Sequence, residues 1–168
     1  MRQQKLDQEI QNKLFSANPG QTVSAVKLIQ EKGNELHLPM LFDLLLANPE
    51  NETEKEILKT LGTVKKEEAV PIFIDALQEN KYRPIQKKLL VACWQNGLDF
   101  KNHVPLLIDL IIEEEWETGF EAFTIIDNMK TLPERPVIDE AVVKINQAID
   151  SVSENKKYFL QEILILIR

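Results

Sequence analysis

Val104-Pro105-Leu106-Leu107-Ile108-Asp109-Leu110-Ile111 is the stretch on which the fold turns. It occurs three times. Val70-Pro71-Ile72-Phe73-Ile74-Asp75-Ala76-Leu77 and Leu38-Pro39-Met40-Leu41-Phe42-Asp43-Leu44-Leu45 share its order of apolar, Pro, three apolar, Asp, two apolar. The prolines stand 32 and 34 residues apart, and a weaker fourth copy begins 31 residues further on, at Pro136. A fixed period in this range is the mark of stacked helical units, because each unit buries its apolar face only against its neighbours.

The rest of the chain carries helical spacing rather than strand alternation. Leu6, Ile10 and Leu14 recur every four residues, so a polar amphipathic helix is expected over about residues 3–16. Asn18-Pro19-Gly20 ends it. Thr22 is the expected N-cap of a second helix with Val23, Val26 and Ile29 on one face, closed by Gly33 in left-handed geometry. The first repeat predicts helices over 36–47 and through Ile57, Leu58 and Leu61 to Gly62, with Asn48-Pro49 between them and Asn51 or Thr53 as cap. The second predicts 67–79, a break at Asn80, and a helix through Ile85, Leu89, Ala92 and Cys93 to Gly97. The third predicts 102–115 and a helix with Phe120, Phe123, Ile126 and Met129 on its apolar face. Ile138, Ala141, Val142, Ile145 and Ile149 mark another helix, and 157–167 the last. Each repeat proline falls in the first turn of its helix, where its missing N–H loses no helical partner.

Composition narrows the function classes. The chain has 168 residues, 43% of them apolar and 28% charged, with a net charge of −7, and this suits one globular domain with a sizeable core. Acidity disfavours nucleic acid as a partner, since phosphate contacts need Lys and Arg. One cysteine forms no internal disulfide, in keeping with a reducing compartment. No apolar leader follows Met1-Arg2-Gln3-Gln4-Lys5, and no run reaches the ~18 apolar residues of a membrane span. The expectation is a cytoplasmic protein with no membrane contact.

A first helix reading Pro-Leu-Leu-x-x-Leu-Ile, a short polar turn, and a second helix ending in apolar-Gly resembles the HEAT repeat; residues 76–97 are the nearest stretch. The resemblance covers residues 36–131 and extends weakly to the flanking hairpins. It implies an all-α, right-handed α-solenoid of about five helical hairpins in one domain over 1–168. The N-terminal hairpin would take 3–33, the repeats about 36–62, 67–97 and 102–131, and the C-terminal hairpin 135–167. HEAT repeats commonly carry an Asp at the turn and an Arg early in the second helix. Here those positions hold Asn48, Asn80 and Glu114, then Glu54, Gln86 and Gly119, so that ladder is missing. Asp43, Asp75 and Asp109 come too early to replace it, and are expected to face solvent or the neighbouring repeat. The resemblance further implies a protein-protein interaction module or scaffold without catalysis, its second helices presenting Glu54, Lys87, Trp94 and Glu121. The alternative it offers is a HEAT-like enzyme, such as an alkylpurine DNA glycosylase-like protein or a bilin lyase.

Residue chemistry points the same way. His37 and His103 each lie two residues before a repeat proline. Two repeats put them roughly 20 Å apart, too far to share a metal held at ~2 Å, and they read as polar helix-start residues. Cys93 sits on an apolar face and reads as a buried thiol. No phosphate-binding glycine loop or serine elbow is present, so no catalytic residue, cofactor or metal site is assigned. Two surface clusters are candidates for partner binding. One is acidic: Glu113, Glu114, Glu115, Trp116 and Glu117, where carboxylates ending a helix oppose its dipole. The other is basic: Lys81, Tyr82 and Arg83 with Lys87 and Lys88, near Trp94. The chain closes on a helix whose Ile165 and Leu166 flank the inward set Leu160, Ile163, Leu164 and Ile167. Repeat arrays normally end on a polar face, so two readings stand: the preceding helix curls over and buries both sides, or two chains meet in a homodimer through this helix.

Overall fold

The computed structural model describes residues 2–168, apart from the side chains of residues 2, 3 and 6. The expected stripe position Leu6 therefore lies outside the described side chains. Ten α-helices and no strand occur among the described residues. They are α1 (Arg2–Leu14), α2 (Pro19–Lys32), α3 (Leu38–Leu46), α4 (Asn51–Gly62), α5 (Val70–Gln78), α6 (Gln86–Asn96), α7 (Val104–Glu113), α8 (Trp116–Asp127), α9 (Arg135–Ala148) and α10 (Glu154–Leu166). The chain is all-α, and no helix is long and apolar enough to cross a membrane.

Pro39, Pro71, Pro105 and Pro136 each fall in the first two positions of α3, α5, α7 and α9. A 3-10 turn precedes the first three: Glu35–His37, Glu67–Ala69 and Lys101–His103. The helix starts expected at residues 36, 67 and 102 fall in these turns. Another 3-10 segment, Asn80–Ile85, contains Pro84 and leads into α6. Here the tighter turn suits a ring that cannot donate a backbone hydrogen bond.

Contacts divide the chain into two compact units, one ending at Asn96 and the other Gly97–Arg168. In the first, α1 packs on α2, α2 on α4, and α4 on α6. Thus α2, α4 and α6 lie side by side. Ile10, Leu14, Val26, Leu41, Phe42, Leu45, Ile57, Leu61, Phe73, Leu89 and Leu90 fill the core. Phe42 packs its ring 5.4 Å from Phe73 and edge-on to Tyr82 at 5.8 Å. In the second unit α7 packs on α8 and α9, and α8 on α10. Leu107, Ile108 and Ile111 are fully buried there with Ala122, Ala141, Ile145, Leu160 and Ile163. Each large side chain so buried contributes about 1.5–3 kcal/mol. Gly119 lets α8 approach α7, since a Cβ there would stand 3.3 Å from the Ile111 Cα.

Several local expectations are corrected. Asn18-Pro19 starts α2 rather than ending α1: the Asn18 side chain accepts from the Gly20 N–H at 2.9 Å, and Pro19 opens the helix. Thr22 is therefore inside the helix and buried, its hydroxyl donating to the Asn18 carbonyl at 3.4 Å. Gly33 is not left-handed (φ −72°); glycine fits because a Cβ would meet the Ile29 carbonyl oxygen at 2.5 Å. Left-handed geometry appears instead at Asn48 (φ 55°) after α3 and at Gly97 (φ 68°) after α6. Neither Asn51 nor Thr53 caps α4: Glu50 stands at that position and Thr53 is buried. On α8 the buried face is Gly119, Ala122, Ile125 and Ile126, which leaves Phe120 45% exposed.

Candidate functional site

The basic cluster is held largely by the fold's own acids. Tyr82 is buried, and its hydroxyl donates to Asp43 Oδ1 at 2.7 Å. Lys81 Nζ lies 3.2 Å from the same oxygen and 4.4 Å above the Tyr82 ring. Burial raises the Tyr82 phenol above its ordinary range, and the hydrogen bonds to Tyr82 and then Asp43 hold Lys81 firmly protonated. Lys88 pairs with Glu54 at 2.6 Å, tying α6 to α4. Arg83 and Trp94 already hold interactions within the fold, Trp94 while remaining 36% exposed. Lys87 is exposed. Two of the cations that a phosphate-binding surface would need here, Lys81 and Lys88, are thus committed to carboxylates.

Two of the three recurring aspartates reach an element of another hairpin. Asp43 on α3 reaches the 3-10 segment before α6, and Asp109 on α7 takes Lys144 Nζ of α9 on both oxygens at 2.8 Å. Both fulfil the expectation of contact with the neighbouring repeat. Asp75 is exposed and lines a cleft of about 170 Å³ with Pro39, Phe42, Ile72, Glu79 and Tyr82.

Of the remaining titratable candidates, His37 and Cys93 are buried. His37 is buried at the start of α3; its Nδ1 accepts from the Asn34 N–H at 3.0 Å, so Nε2 carries the proton and donates to Asp7 at 2.8 Å. His103 stands at the N-cap of α7, in the other unit. Cys93 is buried, and loss of solvation pushes its thiol far above the range in which a thiolate forms. No group of three or more His, Cys, Asp or Glu is placed to hold a metal among the described residues.

The acidic turn is the more open of the two clusters. Glu113 ends α7, Glu114 is its C-cap, Glu115 is the N-cap of α8, and Glu117 lies in its first turn. The sequence reading of carboxylates opposing a dipole therefore holds only for the first pair. Glu115 and Glu117 sit where a helix N-terminus favours negative charge. The C-terminal end of α7 gains a compensating cation, since Lys156 Nζ donates to the Ile112 carbonyl at 2.8 Å. Trp116 is 46% exposed and opens α8, with Phe120 one turn on along the same side. Phe120 packs 5.8 Å from Phe159 of α10, which stacks on Phe123 at 5.0 Å. Sequence reading placed Trp116 in this site and missed Phe120. The Trp116–Phe120 spacing, with Glu117 and Glu121 one residue beyond each, is the signal from which it was legible.

Neither the family models nor the curated proteins compared with this chain match it.

Proposed function

We propose that this chain is a non-catalytic protein-interaction module, its hairpins arranged as a right-handed HEAT-like solenoid. The observation that carries the reading is where the exposed aromatics lie. Of Phe15, Trp94, Trp116, Phe120 and Tyr158, all but Phe15 belong to the second helices of hairpins, α6, α8 and α10. Within the second unit α8 and α10 pack side by side, and large aromatics left in water on such paired helices are the kind of residue that anchors protein partners. The side-by-side packing of α2, α4 and α6, and of α8 and α10, supports the arrangement.

The test is affinity capture from the source cell, followed by calorimetry with the captured protein purified. A saturable one-to-one complex, tighter than about 10 μM, is the expected result. The reading fails if no purified candidate binds while duplex DNA does so with steep salt dependence, because phosphate contacts would then carry the activity.

A further inference from the structure

The face of α8 that carries Trp116 and Phe120 has chemistry specific enough to define its occupant. Two aromatics one helical turn apart are each nearly half exposed. Their floor is built rather than loose. Phe120 leans on Phe159, which is 7% exposed and stacked on Phe123 with an interplanar angle of 18°. Tyr158 meets the same ring edge-on at 6.2 Å and stays 56% exposed. Aromatics held this way lose little freedom on binding, which is what makes an anchor effective.

Along α8 and the turn before it the charge has one sign, while α10 carries Lys157 beside Tyr158 and sets Lys156 on the Ile112 carbonyl. Between Glu113 and Asp127 the chain holds six carboxylates and no Lys or Arg. Glu113, Glu115, Glu117 and Asp127 are exposed. Helix dipoles account for Glu115 and Glu117 but not for Glu113 or Asp127, which lie at helix C-termini. An apolar strip bordered on its α7–α8 side by negative charge is complementary to a helix with apolar residues on one side and Lys or Arg beside them.

We propose that the Trp116–Phe120 face of α8 docks a basic amphipathic helix of a partner protein. Apolar side chains of that helix rest on Trp116, Phe120 and Tyr158, and its cations meet the exposed carboxylates of Glu113, Glu115, Glu117 and Asp127. A second copy of this chain fits poorly, because a two-fold contact would set Glu115 and Glu117 against acids of the same face. Nucleic acid and anionic lipid are repelled by the same carboxylates. This proposal rests on the interaction-module reading and names the class of partner.

The probe is a synthetic, fluorescein-labelled peptide of about five helical turns, with Leu at i, i+3, i+4 and i+7 spacing and Lys between. Its controls are a scrambled peptide of equal composition and a version with every Lys replaced by Glu. Anisotropy with the full chain is expected to show saturable micromolar binding of the first peptide, weakened by added salt. The scrambled peptide should bind at least about tenfold more weakly and the acidic one not at all. Phe120→Ala, and separately Glu115→Lys with Glu117→Lys, should each weaken binding about tenfold or more, with the melting temperature nearly unchanged. The charge pair is exposed, so it reports even where the aromatic variant loses stability. Equal binding of the scrambled peptide, or unchanged binding by the charge variant, overturns the proposal. A captured natural partner that ignores both variants leaves the module reading standing and removes this face as its site.

Discussion

Asp109 and Leu107 stand two residues apart on α7 and do different work. Leu107 has no exposed surface, while Asp109 is 33% exposed and meets Lys144, itself 29% exposed. Solvent screens such a pair, so Asp109→Ala is expected to cost about 0.5–1 kcal/mol. Leu107→Ala leaves a cavity and should cost about 2–5 kcal/mol. Denaturant melts of both variants decide the order; a larger loss for Asp109→Ala would place the carboxylate in a buried network. Tyr82 is the other informative residue. Its hydroxyl donates to Asp43, so Tyr82→Phe should cost about 1 kcal/mol near neutral pH. Folding raises the Tyr82 value, so the folded state holds that proton more tightly than the unfolded chain. The raised Lys81 value has the same sign. Their contribution is fully present below the unfolded values near about pH 10 and is lost as pH rises through the folded ones. Melting temperatures from pH 8 upward should therefore fall more steeply for the parent chain than for Tyr82→Phe. Parallel curves would show that Tyr82 does not titrate with folding.

At the scale of elements, two residue types set the hairpins. Proline marks where α3, α5, α7 and α9 begin, and sequence reading located all four starts to within a few residues. Glycine sets how closely two helices approach, and spacing along the chain does not show this. The α7–α8 pair depends on Gly119, where an added Cβ faces the Ile111 backbone, which has no rotamer to move aside. Gly119→Val is expected to destabilise by about 1–3 kcal/mol through overpacking. Gly62 ends α4 and is half-buried, and a Cβ there would meet the Gln95 side chain, most closely its terminal Oε1 at 2.7 Å. Gly62→Ala should therefore be nearly neutral, since a flexible side chain yields. Equal losses for the two changes in thermal melts would show that the α7–α8 approach is not the limiting contact.

At the scale of the whole molecule, the open question of assembly lies on α10. Leu160, Ile163 and Ile167 are buried as expected, Leu164 is half-buried, and Ile165 and Leu166 remain 67% and 38% exposed. If two copies meet through this helix, light scattering should report twice the chain mass at micromolar concentration. Ile165→Glu with Leu166→Glu should then return the monomer at an unchanged melting temperature. A monomeric parent chain over that range removes the dimer and leaves α10 as an exposed flank. Local order along the chain was enough for the all-helical class, the repeat period, the helix starts at proline, the inward stripe of α7 and the buried Leu160, Ile163 and Ile167 of α10. These follow from local backbone restriction and from 3.6-residue periodicity, both carried by neighbouring residues. Only the tertiary structure decided that Phe120 faces water while Phe123 stacks on Phe159, that Asp43 takes Tyr82 and Lys81, and that Asp109 takes Lys144. Periodicity fixes the angle of a side chain around its own helix; what fills the space at that angle arrives from a hairpin some 39 or 35 residues away, and its identity depends on how the helices pack.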